Sequence, residues 1–206
     1  LQDWRNYNIV ETRNARFCYL FLNCSVLTSA PELPATKLAV SCYTSMFAGC
    51  TSLTAAPELK TTELAASCYN NMFYGCTSLT SAPELKATTL ANGCYFGMFN
   101  GCASLTAAPK LPATELERLC YGDMFCNCTS LESAPELPAT KLAENCYYEM
   151  FSGCTSLTSA PKLSAIELAE ACYCKMFRGC ENLSSVTMLA PSDKIKNTSS
   201  SFNYWL

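Results

Sequence analysis

A unit of 26 residues recurs along this chain and limits what the chain can fold into. Cysteines occupy two places in each unit at constant spacing: Cys42, Cys68, Cys94, Cys120, Cys146 and Cys172, and Cys24, Cys50, Cys76, Cys102, Cys128, Cys154 and Cys180. A fixed period of roughly 20–50 residues is typical of solenoids, in which each coil needs its neighbours to cover its apolar face. We therefore predict one elongated domain of about seven coils.

Two periodicities alternate within each unit. Apolar side chains recur at the spacing of one helix face of about ten residues, as in Leu38, Ala39, Cys42, Tyr43, Met46 and Phe47. A short apolar and polar alternation follows, from Cys76 to Ala82 in one copy, and Pro83 would end a strand there because it lacks an N–H. The pattern predicts an α/β solenoid whose coils each contain one helix and one short parallel strand.

One column of the repeat indicates an unusual backbone conformation. After the predicted helix the column holds only glycine and asparagine: Asn23, Gly49, Gly75, Gly101, Asn127, Gly153 and Gly179. These are the two residue types that most readily adopt positive φ. We therefore predict a left-handed residue at this point in every coil.

The repeat suggests three segments. Residues 1–16 do not follow it and hold Trp4, Tyr7 and Ile9 among charges, so we interpret them as an N-terminal cap, with a linker as the alternative. Residues 17–189 form the solenoid, in whose last unit Leu183, Val186 and Leu189 keep the apolar spacing. Residues 190–206 would be a truncated C-terminal cap, with Phe202 and Trp205 covering the last coil.

The 16 cysteines fall almost entirely into the two repeat columns. A residue that recurs once per coil occupies the same place in every coil, and free cysteine packs as a small buried hydrophobe. We favour two internal ladders of reduced thiols. Disulfides between neighbouring coils and metal binding remain less favoured alternatives, and the sequence has neither histidine nor a C-x-x-C pair. No metal or cofactor is expected.

Composition argues against several classes of function. A net charge of −3 gives no electrostatic footprint for nucleic acid, and no apolar run is long enough to insert into a membrane. The absence of histidine excludes Ser-His-Asp and Cys-His mechanisms, and phosphate-binding glycine loops are missing. Carboxylates that are close in sequence, such as Glu115 and Glu117, are best read as a solvated face. We predict that the protein is not an enzyme.

Two charged columns change sign along the chain. The first reads Glu32, Glu58, Glu84, Lys110, Glu136 and Lys162, and the second reads Lys37, Glu63, Thr89, Glu115, Lys141 and Glu167. Opposite charges on neighbouring coils favour in-register stacking, although each exposed pair contributes little energy.

Comparison of the copies shows where a ligand could bind. The residues after the tyrosine and after the phenylalanine differ in every unit, whereas the core columns are constant. We predict a variable outer face and select as candidate ligand-binding residues Asn70, Asn71, Tyr74, Phe96, Asn100, Asp123, Tyr148, Glu149, Lys175 and Arg178. The alternatives are drift at solvent positions and a polysaccharide site on the uniform Thr/Ser face of the strands.

The repeat resembles the BspA-like leucine-rich repeat family. One unit carries the resemblance in Cys128, Leu131, Ala134, Leu137, Pro138, Leu142, Cys146, Met150, Phe151 and Cys154. The unit differs from the family in its Met-Phe-x-Gly-Cys ending and its greater length. The resemblance implies a bacterial cell-surface or secreted protein that adheres to a host protein, a matrix protein or a glycan. The alternative is a structural spacer or a self-associating element of a surface or phage-tail assembly.

Overall fold

A computed structural model of the chain describes residues 13–197. It is a repeat solenoid in which one backbone segment returns at intervals of 26 residues with the same dihedral signs and hydrogen bonds. We call this segment the turn ribbon, and it comprises residues 15–23, 41–49, 67–75, 93–101, 119–127, 145–153 and 171–179.

The turn ribbon replaces the predicted helix, so that prediction is wrong. Within it the N–H groups of Tyr43, Ser45 and Phe47 donate to carbonyls of the next coil at 2.8–3.0 Å. The N–H groups of Thr44 and Met46, which alternate with these, donate three residues back at 3.2 Å. The ribbon is therefore a series of tight turns. Alternate backbone N–H groups in it donate to the next coil, and the others close turns within the same coil.

Left-handed residues make this arrangement possible. Positive φ recurs every four residues, so each ribbon contains three such positions, for example Ser41 at 54°, Ser45 at 50° and Gly49 at 72°. The predicted Gly/Asn column is confirmed, with φ between 58° and 75°. The two further positive-φ columns also contain serine, aspartate, glutamate, lysine, leucine and alanine, so composition did not reveal them. The apolar spacing of the ribbon imitated a helix because its inward side chains recur in pairs every four residues.

The opposite side of each coil, which we call the bridge side, has much less regular pairing. The predicted strands are reduced to isolated parallel bridges between single residues: Leu33 and Leu59, Ala55 and Ser81, Ala107 and Ser133, Glu115 and Lys141, Ser133 and Ser159, and Leu163 and Met188. Proline follows the short segment in most coils and removes a donor from any longer ladder.

Aromatic ladders form the core beneath the turn ribbon. Tyr43 stacks on Tyr69 with ring centroids 5.9 Å apart, and Phe47 stacks on Phe73 at 5.6 Å. The same two stacks continue to Tyr173 and Phe177, and begin at Phe17 and Phe21. In-register stacking thus places identical large side chains above one another and excludes water from the interior.

The predicted cysteine ladders are confirmed. All 16 cysteines are free, and both columns are almost wholly buried between Cys42 and Cys172. The thiols of the second column donate to the phenylalanine carbonyl of the preceding coil, as Cys76 does to Phe47 and Cys102 to Phe73 at 3.1 Å. Burial raises the pKa of these thiols, to about 12 for Cys76. Protonation keeps the S–H available as a donor.

The last described coil departs from the repeat. Met188 rather than Leu189 packs against the core, and Leu189 is 46% exposed, which corrects the prediction for that residue. A single short helix, α1 (Ser192–Asn197), follows and is the only helix within residues 13–197. In this range no helix has the length and apolar character that a membrane span requires. The cap residues Trp4, Tyr7, Ile9, Phe202 and Trp205 lie outside the described residues.

Candidate functional site

The ten predicted ligand-binding residues all lie on the outward side of the turn ribbon, which we call the turn face. They occupy three columns, whose members in one coil are Tyr148, Glu149 and Ser152. Tyr74 is 50% exposed and Arg178 is exposed, while the other eight candidates are half-buried. Most of the predicted side chains are therefore partly packed against their neighbours on the turn face.

Two of the candidates pack against glycine in the following coil. The side chain of Asn71 lies over Gly97, where an added Cβ would clash with its Oδ1, and the ring of Phe96 lies 3.0 Å from the Cβ position of Gly122. Asn71 also donates from Nδ2 to Asn70 Oδ1 at 2.9 Å. These contacts give Asn70, Asn71 and Phe96 a structural role in stacking the coils.

Four other candidates come together at the C-terminal end of the turn face. Lys175 Nζ donates to Glu149 Oε1 at 2.8 Å and to Tyr148 Oη at 3.1 Å, and it lies 5.4 Å from the centre of the Tyr148 ring. Asp123 precedes Glu149 in the same column, one coil earlier. We call Asp123, Tyr148, Glu149 and Lys175 the charged cluster.

The charged cluster has perturbed electrostatics. Burial, together with the Glu149 carboxylate, raises the pKa of Asp123 to about 6, although Lys175 opposes the shift. Burial also raises the pKa of Glu149, but hydrogen bonds from Lys175 and Tyr148 outweigh it and leave that pKa below its ordinary value. The hydrogen bonds that Lys175 donates to Glu149 and Tyr148 raise the pKa of Lys175. Near neutral pH the cluster thus contains a stable ion pair beside a carboxylate that is easily protonated.

The backbone beneath this ion pair is in an unfavourable conformation for its residues. Glu149 has φ of 48° and Lys175 has φ of 54°, whereas the same column holds Asn71 and Gly97 in earlier coils. A left-handed conformation costs a residue with a Cβ roughly 1–2 kcal/mol, except where a short Asn or Asp side chain compensates. The two charged residues therefore occupy positions for which the backbone would favour glycine or asparagine.

The ten selected candidates leave out Cys126 and Ser152, although both belong to the variable column that follows the phenylalanine. Cys126 is 7% exposed and receives a hydrogen bond from Asn127 Nδ2 at 3.4 Å. It lies outside both cysteine columns, and that departure from the repeat was the available signal. Ser152 occupies the same column one coil later, and its only signal was the variation between copies.

Cys126 also bears on metal binding, which the sequence did not lead us to expect. One ligand atom from each of Asp123, Cys126 and Glu149 lies within 4.8 Å of the others. However, the ammonium of Lys175 already neutralises Glu149, and burial raises the pKa of the Cys126 thiol to about 12. A metal ion would have to displace the lysine and deprotonate the thiol.

The structure does not gather the remaining candidates into this cluster. Tyr74 and Asn100 belong to earlier coils of the ribbon, and Arg178 lies next to the cluster, where its charge helps to lower the pKa of Glu149. The predicted residues thus form an elongated surface with one charged end and one isolated exposed aromatic ring.

Comparison with known proteins finds one solved structure of similar fold. The crystal structure of a leucine-rich repeat protein from T. pallidum is similar over 95% of this chain and 78% of its own, with 20% sequence identity and a TM-score of 0.49. No family model matches the sequence, and no curated protein matches it.

Proposed function

We propose that the protein is a non-enzymatic recognition module that binds a partner protein through the turn face of its solenoid. The ordered cluster of Tyr148, Glu149 and Lys175 on the variable turn face carries this proposal. Its charges are held together across two coils on an outward surface whose residues differ from coil to coil, while the core columns stay constant.

The surroundings of the pair fit protein recognition. Tyrosine and arginine are enriched among residues that dominate binding energy, and here Tyr148 and Arg178 flank the ion pair while Tyr74 exposes half of its surface. The half-buried charges are already ordered by their hydrogen bonds, so a partner would lose little side-chain entropy when it binds them.

The finer expectations from the sequence belong to this proposal. Its repeats would be of the BspA-like leucine-rich type, the protein would act at the bacterial cell surface or in secreted form, and its partner would be a host or matrix protein. The repeat pattern of the sequence supports them, with Leu131, Leu137 and Cys146 among the positions that carry the resemblance.

The experiment that tests the proposal replaces the ion pair by residue types that other coils carry in the same column. A Glu149→Asn/Lys175→Gly double variant replaces the pair by residue types that the same column carries at Asn71 and Gly97. A matched control, Glu115→Thr/Lys141→Thr, removes an exposed 3.0 Å ion pair from another part of the surface. Both variants and the unaltered protein are tested on immobilised matrix proteins, mucins and glycans.

We expect saturable binding to a protein, lost in the first variant and kept in the control, while the first variant unfolds at an equal or higher temperature. Binding that survives the first variant would place the site elsewhere. Binding to glycans alone would refute a protein partner, and no binding to any surface would refute the recognition function.

A second candidate function is self-association of the solenoid as a structural element. The first described coil favours it, because Tyr19, Leu20 and Val26 are 55%, 54% and 88% exposed. Exposed apolar side chains at the end of a stack of coils can accept another coil. Light scattering at increasing concentration distinguishes the two functions, and a monomer throughout would refute self-association.

A further inference from the structure

A cleft lined by prolines follows the bridge side of the solenoid, away from the turn face. One part has a volume of about 500 Å³ and lies between residues 108–112 of one coil and residues 135–138 of the next. An adjoining part of about 270 Å³ shares Pro135, Glu136 and Pro138 and extends to residues 161–164. We call residues 108–112, 134–138 and 161–164 the proline cleft.

The sequence explains why the cavity here is larger than the one beside Lys60. Two successive coils here carry the pattern Pro-x-Leu-Pro, at Pro109–Pro112 and Pro135–Pro138. The pattern also occurs at Pro31–Pro34, but the next coil has Lys60 in place of the second proline, and the corresponding cavity there is about 170 Å³. Proline offers no N–H to bridge the coils and its ring is rigid, so the walls stay apart and the cleft is preformed.

The charges along the cleft are available to a ligand. Lys110, Glu136 and Lys162 are exposed, and none of them forms an ion pair within residues 13–197. In the preceding coils Lys86 is paired with Glu84 at 3.4 Å and with Glu58 at 3.6 Å. Opposite charges on neighbouring coils, which the sequence led us to expect to interact, are therefore not paired with one another at the cleft.

The spacing of these charges matches the repeat length of one peptide conformation better than that of another. Coils joined by parallel bridges lie about 4.8 Å apart, so Lys110 and Lys162, which are two coils apart, are separated by about 9.6 Å along the axis. A polyproline-II helix repeats every three residues, or about 9.3 Å. An extended strand returns to the same face after two residues, or about 6.8 Å, which does not match.

We propose that the proline cleft binds a peptide segment in the polyproline-II conformation, with two acidic residues three positions apart. The acidic residues would pair with Lys110 and Lys162. Proline or other apolar residues of the peptide would fill the space between Pro112 and Pro138. Such a peptide is already ordered when free, which reduces the entropy lost on binding.

The cleft and the turn face are separate sites, so this inference does not depend on the proposed function. A library of random dodecapeptides displayed on phage is selected on the whole chain and, in parallel, on a Pro112→Lys/Pro138→Lys variant. Lysine occupies the same column at Lys60 and Lys86, which indicates that the fold accepts it there. Thermal unfolding of both proteins verifies that they remain folded.

We expect peptides to be enriched on the unaltered protein only, with proline and with acidic residues three positions apart. A synthetic copy of an enriched peptide should lose at least tenfold in affinity when either Lys110→Glu or Lys162→Glu is introduced, as measured by calorimetry. The Glu149→Asn/Lys175→Gly variant should bind it unchanged. Equal enrichment on both proteins, no enrichment, or enriched peptides without the spacing would overturn the proposal.

Discussion

The turn ribbon and the bridge side hold the same coils together in different ways. On the ribbon, alternate residues such as Tyr95, Gly97 and Phe99 each donate to the next coil at 2.8–3.1 Å. On the bridge side the inter-coil bonds are fewer and mostly longer, as from Thr80 to Thr54 at 3.2 Å and from Glu132 to Thr106 at 3.4 Å, with short ones such as Leu116 to Lys141 at 3.0 Å in a few places. Regular pairing on one side leaves the other side able to open clefts between coils.

This difference separates two kinds of surface. The ribbon can carry strained residues such as Glu149 and Lys175 because its hydrogen bonds and stacked rings determine the backbone. The bridge side tolerates prolines that interrupt pairing, since the coil is already positioned from the other side. Stability should therefore depend far more on the ribbon than on the bridge side, and four predictions test this.

The largest effect is expected from Phe99→Ala. Phe99 is fully buried and stacks between Phe73 and Phe125 at 5.7 Å on each side, so its removal opens a cavity in the middle of the ladder. We expect a loss of about 3–5 kcal/mol in the free energy of unfolding. In the same coil Pro109→Ala should cost less than about 1 kcal/mol, chiefly through the unfolded chain. Urea denaturation measures both, and equal costs would contradict the comparison.

The next effect separates the two cysteine columns. Cys102 and Cys94 are both fully buried, but Cys102 Sγ donates to the Phe73 carbonyl at 3.1 Å, whereas the described residues provide no such acceptor for Cys94. A hydroxyl at position 102 keeps an acceptor for its proton, whereas the backbone N–H groups beside position 94 can only donate to it. We expect Cys94→Ser to cost about 1–3 kcal/mol more than Cys102→Ser. Similar unfolding temperatures for the two variants would disprove a structural role for the thiol hydrogen bonds.

Much of this architecture was predictable from sequence because it depends on columns. The cysteine, tyrosine and phenylalanine columns, spaced at 26 residues, predicted in-register stacking and burial correctly. The helix prediction failed because inward pairs such as Tyr43 and Phe47 recur every four residues in a chain of turns as well as in a helix. Only the hydrogen-bond partners distinguish the two, and these lie in the next coil, where local periodicity gives no information.

The candidate site was predictable only in part. Variation between copies identified the turn face, but it could not tell that Asn71 is used to cover Gly97 or that Glu149 and Lys175 pair across coils. The positive φ beneath Glu149 also left no signal, because glutamate is not a residue type associated with it. The proline cleft was missed because each Pro-x-Leu-Pro segment was read as the end of a strand within its own coil.

A smaller effect is expected from Gly97→Ala on the ribbon. Gly97 has φ of 59°, and a Cβ there would clash with Asn71 Oδ1. The left-handed backbone alone should cost roughly 1–2 kcal/mol of stability, and the clash should add to it. Introducing Asn71→Gly in the same chain should restore only the part due to the clash. If the double variant is no more stable than Gly97→Ala, the contact between successive coils is unimportant.

The smallest effect concerns pH and tests whether the turn face also stabilises the ribbon. The pKa of Asp123 is raised to about 6 in the folded chain from an ordinary value of 3.8, mainly by burial. Between about pH 4 and pH 6 the unfolded chain therefore loses this proton while the folded chain retains it, and the free energy of unfolding falls as the pH rises.

Asp123→Asn removes that dependence and suits the φ of 54° at this position. We expect the variant to match the unaltered protein at pH 4 and to be more stable by about 1 kcal/mol at pH 7, because water partly screens the half-buried carboxylate. Urea denaturation across this range measures the difference, and parallel stability curves would show that Asp123 is solvated in the folded protein.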